Sequence, residues 1–198
     1  MRCGTTNNNS CHPTAPSCKG PFNFTSIQEI ITHYWRCHGG DATSNFCQEQ
    51  DSLEGAVSAA ARSLDHRGKM HSHQWRVGHD TLSRFAEELD SRIPKIQGAN
   101  NFAELLTIIQ QAKIPDIGEL TLYDTAHRIG CYLGYLPDKV YLHSGTRTGA
   151  VNLLGKLPRK TYLELEELPE AFRLAGVSAS DVENILCIYK KEFLKVKE

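Results

Sequence analysis

Apolar residues in this chain recur at helical spacing in one segment after another and almost never in strict alternation. Ile27, Ile30, Ile31, Tyr34 and Trp35 share one face of a helix. Leu53, Ala56, Val57, Ala60 and Leu64 do the same, as do Leu82, Phe85, Ala86 and Leu89. Phe102, Leu105, Leu106, Ile108 and Ile109 make a fourth face, and Val182, Ile185, Leu186, Tyr189 and Phe193 a late one. Such stripes bury only against other helices, so the pattern predicts an all-α fold: a compact bundle of about seven or eight helices. Two lobes around a groove are one arrangement of it. The lone alternating run, Tyr162-Leu163-Glu164-Leu165, is too little for a sheet.

Local signals set the expected boundaries. Ser26 with Glu29 has capping-box spacing, which starts a helix that Gly39-Gly40 ends. Helices are predicted over about 53–64, 80–93, 101–112 and 120–133, with Pro94 stopping the second of these. Helix resumes over about 144–154 and 170–174. Ser180, with Glu183 three residues on, is expected to cap the last, which runs to about Leu194.

Residues 1–22 read as an irregular leader punctuated by Pro13, Pro16 and Pro21, and 23–198 as a single helical domain. The 198 residues suffice for a sizeable core, and 40 % are hydrophobic, which argues against wholesale disorder. No apolar run approaches the roughly 18–20 residues that span a bilayer. Met1 to Gly20 lacks the apolar segment of a secretory signal. The seven cysteines are Cys3, Cys11, Cys18, Cys37, Cys47, Cys131 and Cys187. An odd count without a signal predicts reduced thiols and a cytoplasmic setting. Zinc at Cys3, Cys11, His12 and Cys18, with Cys37 or His38, is disfavoured because no C-x-x-C pair occurs.

The most informative stretch runs from Leu106 to Gly134. It reads helix, Ile114-Pro115-Asp116-Ile117-Gly118, helix. A tight glycine-containing turn into a helix exposes successive amide N–H groups at the positive end of the helix dipole. A nucleic-acid phosphate fits there without sequence readout. The segment resembles the helix-hairpin-helix motif of DNA repair proteins through Ile114, Pro115, Ile117, Gly118, Thr121 and Ala126. Asp116 stands where that turn usually has a second glycine. More broadly, about residues 102–155 resemble the helix-hairpin-helix DNA glycosylase superfamily, with Val140-Tyr141-Leu142-His143 at the position of its Val-Asp-x-His segment. The resemblance implies DNA as partner, a role in repair, and a monovalent cation at the hairpin. Phosphate would dock at the amides of Ile117, Gly118, Leu120 and Thr121, helped by Lys113. The superfamily's catalytic aspartate position holds Tyr141, and its lyase lysine falls near Leu120, so base excision of the usual kind is not expected. Asp124, Asp138 and His143 are the catalytic candidates that remain, with Arg128 and Tyr141 lining a pocket for an extruded base.

Two further features bear on function. Lys69-x-His71-x-His73-Gln74-x-Arg76 is rich in donors. It suits a phosphate or nucleic-acid patch through Arg67, Lys69 and Arg76, a metal site through His71 and His73, or a solvated loop. Asp124 and Arg128 are one helical turn apart and are placed to pair. The net charge of −1 excludes a polybasic binder. It hides a basic stretch, Lys139, Arg147, Lys156, Arg159 and Lys160, followed by acids from Glu164 to Glu183. Arg147 joins the expected phosphate contacts. The leading expectation is thus a DNA-glycosylase-like protein that binds the DNA backbone. The alternatives are a non-catalytic helical module that binds protein, or an enzyme acting on a nucleotide or another small phosphate.

Overall fold

A computed structural model describes residues 18–39, 42–71, 74–156 and 158–196. They form α1 (Ile27–His38), α2 (Ala42–Gln48), α3 (Leu53–Arg62), α4 (His79–Asp90), α5 (Ile93–Gln97), α6 (Phe102–Gln111), α7 (Glu119–Leu133), β1 (Val140–Tyr141), α8 (Ser144–Leu154), β2 (Tyr162–Leu163), α9 (Glu170–Leu174) and α10 (Ala179–Ile188). The fold is mostly helical, as the periodicity predicts. The chain divides into two compact units. One is built from α2 to α7. The other joins α1 to everything from Asp138 onward.

In the first unit α7 is the central element, packed by α2, α3 and α6. Ser52 starts α3 by accepting from the Gly55 N–H at 3.1 Å. That start sets Ala56, Val57 and Ala60 inward, all at 0 % exposure. Ser63 ends the helix in the left-handed region (φ 57°), donating its N–H to the carbonyls of Ala59 and Ala60. Asn101 caps α6 by accepting from Glu104 N–H at 2.9 Å, and the Glu104 carboxylate accepts from Asn100 N–H at 2.9 Å. Pro94 does not stop the third predicted helix. That helix ends at Asp90, and Pro94 lies in the first turn of α5, where its missing N–H costs nothing.

The second unit has its own core, in which Ile30, Ile31, Val140, Phe172, Val182, Ile185 and Tyr189 are buried together. Burying each large side chain contributes about 1.5–3 kcal/mol. Ser26 caps α1 as the spacing predicts, accepting from Glu29 N–H at 3.3 Å. The strands pair antiparallel, Val140 against Leu163 and Tyr141 against Tyr162. The cap of α10 is Ser178, not Ser180: its hydroxyl accepts from Asp181 N–H at 3.2 Å. The helix ends at Ile188, and a 3₁₀ turn over Glu192–Leu194 completes the stretch.

Among the described residues the reduced-thiol expectation fails at one pair. Cys18 and Cys37 form a disulfide. Seven cysteines do not forbid a bond, and the last turn of α1 brings Cys37 to Cys18. Cys47, Cys131 and Cys187 remain thiols. Among the described residues no helix is long and apolar enough to cross a membrane.

Candidate functional site

The predicted turn joins α6 to α7. Ile109 and Ala112 are buried on the α6 side and Ile117 on the α7 side, so apolar anchors clamp both ends of the loop. Ile117 N–H donates to Ile114 carbonyl at 3.3 Å, closing the turn. Asp116 sits at φ +69°. It therefore takes the left-handed conformation that favours glycine, the residue the resemblance implies at this position. Gly118 is the N-cap of α7 and supplies no side-chain cap. A methyl group placed there would meet no atom within 4 Å. Lys113, Asp116, Glu119 and Leu120 are exposed around this tip.

Thr121 completes the first turn of α7 but faces inward, 5 % exposed. Its hydroxyl donates to Gln74 Oε1 at 2.9 Å. Gln74 Nε2 donates in turn to Asp124 Oδ2 at 3.0 Å, and that oxygen lies 3.6 Å from Arg128 Nη2. Arg128 Nη1 donates to Ser63 Oγ at 3.0 Å. A polar chain thus runs along α7 and ties it to the end of α3 and to the basic loop beyond. The predicted Asp124–Arg128 pair forms. The tie through Gln74 was not legible, because Thr121 and Asp124 lie 47 and 50 positions away from it.

The basic loop is locally ordered. Asp65 Oδ1 accepts from the N–H groups of Arg67 and Lys69, both at 2.9 Å. Those bonds, the Lys69 N–H first, hold its carboxyl below the usual range. Leu64 and Met70 form an antiparallel bridge across the loop. Arg67, Lys69 and Arg76 are exposed, and so is Trp75 at 62 %. Trp75 Nε1 donates to Met70 carbonyl at 3.2 Å. His73 lies outside the described residues.

The other site candidates belong to the second unit. Asp138 is exposed, and Tyr141 is half-buried on β1 beside Tyr162, with burial pushing its hydroxyl pKa up. His143 precedes α8 and is 7 % exposed, with Nε2 at 3.2 Å from Glu183 Oε1. Thr146 donates to that same oxygen at 2.5 Å. Glu183, which the sequence places only beside the expected cap Ser180 and at the end of the acidic stretch, is buried against His143 and Thr146 instead. Arg147 donates to the carbonyls of Pro158 (3.0 Å), Lys160 (3.1 Å) and Leu142 (3.4 Å). Its guanidinium is spent on backbone, which explains why a cation stands there. The expected pocket set thus divides, with Asp124 and Arg128 in one unit and Tyr141 and His143 in the other.

Among the described residues no three His, Cys, Asp or Glu side chains cluster as a metal site requires. Cys3, Cys11 and His12 lie outside the described residues, and Cys37 is engaged with Cys18. No family model, no curated protein and no solved structure matches this chain.

Proposed function

We propose that the α2–α7 unit binds the phosphate backbone of duplex DNA, in the manner of a helix-hairpin-helix protein, and does not excise bases. The observation that carries this reading is the Thr121–Gln74 hydrogen bond at 2.9 Å. It fastens the basic loop to the first turn of α7, so Trp75 and Arg76 follow directly on a residue docked beside the hairpin. Two segments 47 positions apart in sequence thereby become one candidate surface. The uncapped start of α7 offers amide N–H groups and the positive helix end. Lys69, Arg76 and Lys113 add positive charge, and Trp75 adds an aromatic face. Asp116 and Glu119 are carboxylates at the same tip and oppose a phosphate, so modest affinity is expected. Repair and a cytoplasmic setting are the finer parts of this reading. Tyr141 offers no carboxylate where the resemblance places the catalytic one, so the reading is of binding rather than of base excision of the usual kind.

The test is a titration with duplex DNA over a range of salt concentrations. The logarithm of the binding constant falls linearly with the logarithm of salt, with a slope set by the phosphates contacted. Arg76→Ala lowers that slope by about one contact. Gly118→Glu puts a carboxylate on the open side of the α7 start and weakens binding. Salt-insensitive or absent binding by the parent chain rejects the reading.

A further inference from the structure

We infer that Cys18–Cys37 is a thiol–disulfide exchange site, opened by a small thiol that attacks Cys18 while His33 stabilises the thiolate released on Cys37. The bond does not sit in inert apolar packing. His33, one turn before Cys37 on α1, places Nε2 at 3.6 Å from Cys37 Sγ. Its other nitrogen, Nδ1, lies 2.6 Å from the Tyr189 hydroxyl. The imidazole is 4 % exposed and Tyr189 1 % exposed. Phe22 and Phe24 wall it in, with ring centroids 4.6 and 5.3 Å from His33. A polar ring costs more desolvation there than an apolar one, and its two nitrogens are set against Tyr189 and Cys37.

The two sulfurs are not equivalent. Cys18 is 9 % exposed and Cys37 2 %. Cys37 faces a nitrogen that donates once it carries a proton, and a stabilised thiolate leaves faster. The step balances as follows. A thiolate forms a new S–S bond to Cys18 Sγ, the Cys18–Cys37 bond breaks, and the negative charge ends on Cys37 Sγ. His33 Nε2–H donates to that sulfur, and Tyr189 holds the ring through Nδ1. A second thiolate then attacks the outer sulfur of the mixed disulfide and releases Cys18. Tyr189 contacts His33 and His38 interacts with its charge, and Glu192 and Arg36 act on Tyr189. In a reducing compartment disulfides are transient and exchangeable, which is the behaviour this arrangement supports.

The experiment uses the full chain, oxidised, with reduced glutathione as the probe. Intact and peptide mass measurement follow the adduct, and far-ultraviolet dichroism checks folding. The expected result is a glutathione adduct on Cys18. His33→Phe, which keeps a ring but no N–H, forms it on the order of tenfold more slowly. Tyr189→Phe, which keeps the imidazole but loses its anchor, slows it less. An adduct on Cys37, a Cys18–Cys37 pair that is not bonded in the oxidised chain, or equal rates in parent and folded variants overturns the proposal. If His33→Phe does not fold, Tyr189→Phe decides the rate comparison alone.

Discussion

Gly149 of α8 lies directly against the main-chain carbonyl of Leu186 on α10. A methyl group on Gly149 would overlap that oxygen, and one on Gly145 would overlap Cys187 Sγ. The two glycines, one turn apart, let the helix backbones approach as larger residues would not.

Gly149→Ala therefore has no room, because backbone rather than a flexible side chain stands in the way. Overpacking of this kind costs about 1–3 kcal/mol. Chemical denaturation should show that loss, while Gly118→Ala, in open space, should lose only what alanine costs at a helix N-cap.

The Asp124–Arg128 pair should behave differently from its exposed counterpart. The Arg128 side chain is 4 % exposed, so Asp124→Ala removes an acid partner of a buried guanidinium. The expected loss is about 3 kcal/mol. Arg92 and Glu88 approach more closely, at 2.8 Å, yet their side chains are 21 % and 40 % exposed. Glu88→Ala should cost about 0.5 kcal/mol or less. Equal losses at the two sites would refute this ranking.

Asp116 tests the hairpin backbone. Its φ of +69° suits glycine and strains a β-branched residue. Asp116→Val should lose about 1–2 kcal/mol, and Asp116→Gly should hold stability near the parent. Asp116→Gly also removes a carboxylate from the proposed phosphate surface, so it should tighten DNA binding in the same titration.

Acid should weaken the fold through its helix caps. Bonds from Thr25 hold the Glu29 carboxyl below its ordinary 4.5, and bonds from Asn100 do the same for Glu104. A depressed folded pKa stabilises the ionised form. Its contribution is present above pH 4.5 and disappears as pH falls through the lower folded value. Thermal melts from neutral pH down to acid should fall most steeply there. Glu29→Gln with Glu104→Gln should flatten that part of the curve.

These positions also mark how far the sequence could be read. Ser26 and the apolar face of α1 were legible because cap and periodicity act within a few residues. The cap of α10 was misplaced by two positions because Ser178 and Ser180 each have an acidic residue three positions on, and only tertiary packing chooses between them. α2 left no signal. Ala42–Gln48 spans seven residues with no apolar stripe, and packing on α3 and α7 sustains it. The Val140–Leu163 register and the Gln74, Glu183 and Cys18 partnerships depend on residues far apart in sequence. No local pattern encodes such pairings. Asp116 lies between these cases: the turn was legible, whereas the left-handed backbone that lets an aspartate serve there was not.

The division of the chain sets an order of events during synthesis. The unit from α2 to α7 is one uninterrupted stretch, so all its partners have been made once α7 is complete. α1 is translated before that stretch but cannot bury its apolar face until α9 and α10 emerge. His33 waits 156 positions for Tyr189. A helix made before its partners is thus among the last to be secured, and its Ile30, Ile31 and Tyr34 face stays available to chaperones until they emerge.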